Sequence, residues 1–212
     1  MKRFLALILS LIMICTASLA FADSLVVTPG APTGCAFTLF QTYFDILTQS
    51  SGYTFNWDSS AVQEDGFDVY SATTEDGAMS IKVHCTDGKV SYVTGEGTIK
   101  TKMSDTNGAR KFGEWFGVSM AGTCLGLYAG ENGADALTQE ISTRFQTELT
   151  PMITVIQDGV SNPSKLKNGV AGQTVVLGYI TGLEVSGDVD GSDIILTMKI
   201  AVTSPDGKVN IQ

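Results

Sequence analysis

The apolar positions of this chain recur at helical spacing in three stretches and alternate in the manner of strands in six others. The first helical stretch covers roughly residues 35–50. Residues three or four positions apart lie on the same face of a helix. The apolar face of this stretch is built by Phe37, Phe40, Phe44 and Leu47, with Leu39 and Tyr43 widening it. We therefore predict an amphipathic helix whose apolar face packs against the rest of the protein.

The second helical stretch begins at Ser104 and Asp105, which can act as N-caps, and runs to about residue 129. Its residues 112–130 contain one charged side chain, Glu114. Glycine recurs through it, at positions 108, 113, 117, 122, 126 and 130. This pattern is typical of a membrane span with closely packed helices, or of a buried helix whose glycines let a neighbour approach. Because Leu, Ile and Val are scarce, we favour the buried helix, with a break near Gly122.

The third helical stretch covers roughly residues 133–148, with Asn132 as a possible N-cap. Thr150-Pro151 then predicts either a kink or a restart, because proline suits the first position of a helix. Residues 157–171 are polar and contain Asn162-Pro163, so we predict a connecting segment there.

Six stretches alternate apolar and polar residues, which is the pattern of a strand with one buried face. Asp-Gly pairs at 76–77, 87–88 and 190–191 lie between several of them. Asp-Gly favours tight hairpin turns, because glycine readily adopts a positive φ. The predicted strands cover residues 53–57, 66–73, 78–85, 89–99, 173–186 and 193–203.

The resulting order is helix, strands, helices, strands, and the strands come in runs joined by short turns. This order predicts the α+β class, with an antiparallel β-meander sheet or sheets and about three helices packed on one face. We expect a single domain over residues 35–212, with possible halves at 35–100 and 101–212. The pattern leaves open whether the strands form one sheet or two.

The first 22 residues have the three parts of a secretory signal peptide. Lys2 and Arg3 form a positive start, an apolar run extends over residues 4–19, and Ala20-Phe21-Ala22 is a cleavage site. We predict cleavage before Asp23 and a secreted or extracytoplasmic location in a bacterial cell envelope. The alternative is an uncleaved membrane anchor. Residues 23–34 are rich in Pro and Gly, and we expect a flexible or extended N-terminal segment.

Charge narrows the classes of partner. The chain contains 22 acidic and 13 basic residues, a formal net charge of −9. Phosphate backbones repel such a protein, so we expect no nucleic-acid partner. We also predict no cofactor, and no stable membrane span after signal cleavage.

Three cysteines remain after signal cleavage, Cys35, Cys85 and Cys124. At most one intramolecular disulfide can form from three thiols. Cys85 lies on the apolar side of a predicted strand and Cys124 on the apolar part of a predicted helix, so they are the candidate pair. The alternative is three buried, reduced cysteines that act as small apolar residues.

The candidate catalytic pair is Cys35 with His84, the one histidine of the chain. Cys35 lies near a predicted helix start, where free N–H groups favour a thiolate, and a histidine could act as its base. The alternative is a structural cysteine with a surface histidine, because His84 falls on the polar side of its strand.

Two further sets of residues are candidate sites. Tyr53, Phe55 and Trp57 could line a binding groove for a carbohydrate or peptide, or form the packed face of a sheet. Asp188, Asp190 and Asp193 could supply oxygen ligands to calcium, or belong to an ordinary hairpin.

These features favour an exported, non-enzymatic binding domain whose ligand is an unknown protein or small molecule. Two alternatives stay open. One is a secreted hydrolase or thiol enzyme that uses Cys35 with His84. The other is a structural component of the cell envelope whose segment 112–130 contacts a membrane or a partner helix.

Overall fold

The computed structural model describes residues 25–102, 105–161, 163–190 and 192–211. Its main sheet contains β2 (Phe55–Trp57), β3 (Val62–Glu64), β4 (Phe67–Thr74), β5 (Met79–Thr86), β6 (Lys89–Lys102), β7 (Val170–Val176), β8 (Tyr179–Asp190) and β9 (Asp193–Thr203). The order across the sheet is β2-β4-β5-β6-β9-β8-β7, and β3 also pairs with β4. All of these pairings are antiparallel. One sheet therefore joins both halves of the sequence.

The helices are α1 (Phe37–Ser50), α2 (Thr106–Met120), α3 (Gly126–Asn132), α4 (Gln139–Ser161) and α5 (Pro163–Asn168). A π-helical turn, Ala121–Leu125, joins α2 to α3, and a short 3₁₀ turn, Ala134–Ala136, precedes α4. The predicted α+β class with an antiparallel sheet is confirmed.

Helices α2, α4 and α5 contact the same face of the sheet, here called the inner face. Three glycines on this face mark their close approach. A Cβ added at Gly97 would lie 3.5 Å from Trp115 of α2, and one at Gly172 would lie 2.6 Å from Val155 of α4. At Gly187 the neighbour is Leu166 of α5, at 3.2 Å. The inner face and the helices thus enclose one apolar core.

Helix α4 is longer than the predicted third helix and continues through Pro151. Proline costs the helix one hydrogen bond, but the apolar face goes on beyond it with Met152 and Val155, both buried. Burial of these side chains stabilises the continued helix. The predicted connection 157–171 is replaced in part by the end of α4 and by α5.

The predicted strand 173–186 is two strands. The break comes at Leu177–Gly178, where both residues have positive φ, 53° and 94°. Leucine seldom adopts this conformation, whereas glycine readily does, so Gly178 is the one local turn signal within the predicted strand. The N–H of Leu177 donates a hydrogen bond to Glu148 Oε2 at 2.6 Å, and its side chain is buried, which holds the turn in place.

Part of the N-terminal segment, which we expect to be flexible or extended, forms an extended strand. Residues Leu25–Thr28 form β1, which pairs antiparallel with β10 (Lys208–Ile211) in a two-stranded ribbon. The ribbon lies on the outer face of the sheet, because a Cβ added at Gly182 of β8 would lie 2.3 Å from Val209 and 3.2 Å from Leu25. The predicted signal peptide, residues 1–22, lies outside the described residues.

The glycine-rich segment is buried. Phe112, Trp115, Phe116 and Leu127 are all within the core, so segment 112–130 has little apolar surface to offer a membrane or a partner helix. In the described part of the chain, no helix is both long enough and apolar enough to cross a membrane.

Candidate interaction surface

The buried side of helix α1 is formed mainly by aromatic side chains. Phe37, Phe40 and Phe44 are buried, as is Thr48 one turn further on. The ring of Phe44 makes edge contacts with Phe55 and Trp57 of β2, at centroid distances of 5.0 and 5.8 Å. The buried side of α1 is thus held against one end of the sheet.

The opposite neighbour of α1 is the glycine-rich helix. A Cβ added at Gly122 would lie 2.8 Å from the Phe44 ring, and one at Gly126 would lie 3.5 Å from the Phe44 backbone nitrogen. Gly130 allows a still closer contact with Cys35, which precedes α1. The glycine repeat therefore lets α1 approach the helix closely, as the sequence predicts for a buried helix.

The outward face of α1 is apolar and exposed. Leu39 and Ile46 are 45% and 58% exposed, and Tyr43 between them is half-buried. These three side chains follow each other at intervals of four and three residues, so they form a stripe along the helix. We call this stripe the α1 face.

The α1 face carries no charge. The one charged residue of α1 is Asp45, and it accepts a hydrogen bond from Trp57 Nε1 at 2.9 Å, at the side of the helix that meets the sheet. Burial raises the pKa of Asp45, and the hydrogen bond from Trp57 opposes that shift.

Two hydroxyl groups beside the α1 face, those of Thr42 and Ser50, have partners within the helix. Thr42 Oγ1 donates to the carbonyl of Thr38 at 2.8 Å, and Ser50 Oγ donates to the carbonyl of Leu47 at 2.7 Å. Covering the face would therefore leave these groups hydrogen-bonded. Exposed apolar side chains at such intervals along a helix are candidate anchors for a partner, so the α1 face is the candidate interaction surface.

The chain matches no protein-family model, no curated protein and no solved structure.

The structure does not bring Cys35 and His84 together. The sulfur of Cys35 points to Gly130 of α3, on the helix side of the sheet. His84 lies on the outer face, because its neighbours Val83 and Cys85 belong to the inner core and strand side chains alternate. The sheet therefore separates the thiol from the imidazole, and this geometry does not support a catalytic pair.

His84 is not the exposed surface residue that the strand pattern predicts. It is 8% exposed, because its ring stacks on Tyr92 of the next strand at a centroid distance of 3.9 Å. Phe67 contacts both rings edge-on. Burial lowers the pKa of His84 to about 4, although the nearby Glu64 and Asp65 carboxylates act in the opposite direction.

The three described cysteines are free and buried. Val90 is the register partner of Cys85, and its N–H donates to the carbonyl of Cys35 at 3.0 Å, so it lies between the two cysteines. Two strand spacings separate the backbones of Cys35 and Cys85 by about 10 Å, beyond the range of a disulfide. No disulfide joins the candidate pair Cys85 and Cys124 in this structure.

The thiols are poor nucleophiles. Burial raises the pKa of each of the three cysteines to about 12. For Cys35 the charge of Glu131 adds to the effect, which outweighs the favourable influence of the nearby helix start. With pKa values near 12, the three thiols are protonated at neutral pH. The thiolate is the reactive form of cysteine, so these side chains react poorly.

The aromatic stripe Tyr53, Phe55 and Trp57 packs inward. Phe55 is buried, and Trp57 contacts both Phe37 and Phe44 of α1. Tyr53 is half-buried at the edge of the same core. The packed face accounts for these residues, and little of their surface is open to a ligand.

Asp188, Asp190 and Asp193 belong to the hairpin of β8 and β9, where Asp190 is the register partner of Asp193. Asp193 forms an ion pair with Lys100 at 3.4 Å. Among the described residues, no group of three or more His, Cys, Asp or Glu side chains could hold a metal ion.

The sequence reasoning missed the α1 face. It assigned Leu39 and Tyr43 to the buried stripe and did not single out Ile46. The arc of buried residues on α1 spans Phe37, Phe40, Phe44 and Thr48, which leaves Leu39 and Ile46 on the other side. A helical-wheel comparison of the Phe and Leu positions could have revealed two separate apolar arcs.

Proposed function

We propose that this chain is an exported, non-enzymatic binding domain that contacts another protein through the α1 face. The observation that carries the proposal is the exposed and uncharged stripe of Leu39, Tyr43 and Ile46. The N-terminal features of a secretory signal support export.

The chemistry of the candidate catalytic residues favours binding over catalysis. Cys35 and His84 lie on opposite faces of the sheet, and the raised pKa of Cys35 keeps its thiol protonated. An imidazole with a pKa near 4 is a weak base at neutral pH. Binding through the α1 face requires no catalytic group, only an apolar surface from which a partner displaces water.

Site-specific photocrosslinking tests the proposal in cells that export the full chain. A photoreactive amino acid placed at Ile46 should give an adduct, because this side chain lies within the face. The matched control is Val62, which is similarly exposed at 56% but lies in β3, outside α1. The absence of adducts at Ile46, or equal adducts at both positions, would contradict a binding role for α1.

Intact mass of the exported chain tests the first part of the proposal separately. A chain that begins at Asp23 supports export by a cleaved signal. A mass that includes residues 1–22 would contradict cleavage and favour the anchored alternative.

A further inference from the structure

Glu184 has a carboxylate that is buried without a partner. It lies in β8 between Leu183 and Val185, whose side chains belong to the core, so its own side chain is on the outer face of the sheet. The residue is 6% exposed, and its Oε2 is buried and accepts no hydrogen bond. Burial of an unpaired carboxylate costs free energy, which a positively charged group at this oxygen would offset.

The neighbouring lysine on the sheet does not supply that group. Lys199 of β9 is the register partner of Glu184, but its side chain is exposed. Among the described residues, neither of the two forms an ion pair. Lys199 is also the register partner of Glu96 of β6, whose carboxylate is on the same face and exposed to solvent. The buried oxygen of Glu184 therefore needs a donor that reaches it from the ribbon that covers this part of the sheet.

Strand β10 of the ribbon runs along the outer face toward Glu184. Gly207, just before β10, lies against Thr203 of β9. Val209 lies against Gly182 of β8, which is two positions further along the sheet. Two residues later, the end of β10 is therefore level with Glu184.

Strand β1 brings the start of the mature chain to the same place. It pairs antiparallel with β10, and Leu25 is opposite Ile211 at the end of the ribbon. The Leu25 side chain would lie 3.2 Å from a Cβ added at Gly182, next to Glu184 on the same face. Cleavage before Asp23 leaves two residues ahead of Leu25, which span at most about 7 Å of extended chain. The new α-amino group is thus within reach of the carboxylate.

We propose that the α-ammonium group of Asp23, which signal cleavage creates, forms an ion pair with Glu184 beneath the end of the ribbon. The uncleaved chain has an uncharged peptide group at this position, so the pair forms only after cleavage. Removal of the signal thereby fixes the ribbon on the sheet. This inference rests on the cleaved signal of the proposed function and is independent of the α1 face.

Acylation of the mature protein tests the pair. An N-hydroxysuccinimide ester of acetic acid labels unprotonated amines, so an ammonium group held by a carboxylate reacts slowly. At pH 7 the α-amino group should be labelled about tenfold more slowly in the folded protein than in urea, as mass spectrometry of the N-terminal peptide would show. Glu184→Gln should remove most of this protection. The matched control Glu96→Gln takes an exposed carboxylate from the same face and should leave the protection unchanged.

Circular dichroism shows whether each variant is folded. Should Glu184→Gln not fold, Glu184→Asp takes its place. The shorter side chain withdraws the carboxylate from the amine while keeping its charge, so the same loss of protection is expected.

The outcomes separate this inference from the proposed function. A chain that begins at Asp23, with an α-amino group labelled equally fast when folded and in urea, overturns the pair and leaves the role of the α1 face. Protection that the Glu184 variants leave unchanged comes from the ribbon alone and overturns the pair as well. A mass that retains residues 1–22 overturns both the pair and the predicted cleavage, whereas crosslinking at Ile46 still tests the α1 face.

Discussion

The contact between α1 and the glycine-rich helix predicts opposite effects for two neighbouring substitutions. In Gly122→Ala, the new Cβ would lie 2.8 Å from two atoms of the Phe44 ring and 2.9 Å from Thr48 Cγ2. In Gly126→Ala, the nearest atom would be the Phe44 backbone nitrogen at 3.5 Å, an ordinary van der Waals distance. The same added methyl group is therefore strained at one position and accommodated at the other.

The size of each change in the free energy of unfolding depends on whether the neighbouring atoms can shift. Phe44 is fully buried, and its ring is held by Phe55 at 5.0 Å, so it cannot withdraw from a methyl group at Gly122. Overpacking of this kind costs about 1–3 kcal/mol, and the better helix propensity of alanine returns up to about 1 kcal/mol. We expect Gly122→Ala to lower the free energy of unfolding by about 1–2 kcal/mol. Gly126→Ala should raise it by about 0.4–1 kcal/mol, because the unfolded chain loses freedom.

Urea unfolding followed by tryptophan fluorescence measures both effects in the mature chain. Equal slopes of the transitions in the two variants would allow their midpoints to be compared directly. In thermal unfolding, each 1 kcal/mol corresponds to a shift of about 2–4 °C for a protein of this size. Equal changes in the two variants, or a Gly122→Ala variant as stable as the wild type, would refute the close packing of α1 on this helix.

Three further predictions follow from buried groups. Iodoacetamide should leave all three described cysteines unmodified in the native protein at pH 8 and modify all of them in urea, as intact mass would show; a fast-reacting thiol would contradict their burial. Because the pKa of His84 is about 4 when folded and near 6.5 when unfolded, the unfolded state binds its proton first, and stability falls as the pH drops from 6.5 to 4, by up to about 3 kcal/mol. His84→Phe should reduce that loss between pH 7 and pH 4.5, and an unchanged pH dependence would rule out this role. Glu148→Gln should lower the free energy of unfolding by about 1–2 kcal/mol in urea unfolding, since the carboxylate joins Arg144 to the N–H of Leu177, and a change below about 0.5 kcal/mol would count against this link.

The fold class was predictable because its signals are local. The period of apolar residues predicts α1, and the Asp-Gly pairs predict the turns of the first meander. Asp87 and Gly88, for example, both have positive φ between β5 and β6. The glycine repeat also predicted a close neighbour, although it did not say which element that neighbour would be.

The missed features depend on contacts between distant parts of the chain. The turn at Leu177 is held by Glu148, which lies 29 residues away, and its one local signal, Gly178, lies within an otherwise regular strand pattern. The burial of His84 comes from Tyr92 and Phe67 on neighbouring strands, whereas the strand pattern alone places it in solvent. Such positions need the register of the sheet, which a single sequence does not provide.

The two apolar faces of α1 have separable causes. The buried side of α1 is needed for folding, because Phe40 and Phe44 fill the space between the glycine-rich helix and the sheet. The α1 face makes no comparable contribution, since Leu39 and Ile46 remain largely exposed and gain little from the folded state. A purely structural helix in this position could carry polar residues there at no cost to the core. In the proposed function, association with another protein removes these side chains from water, so the free energy of their burial contributes to binding rather than to folding.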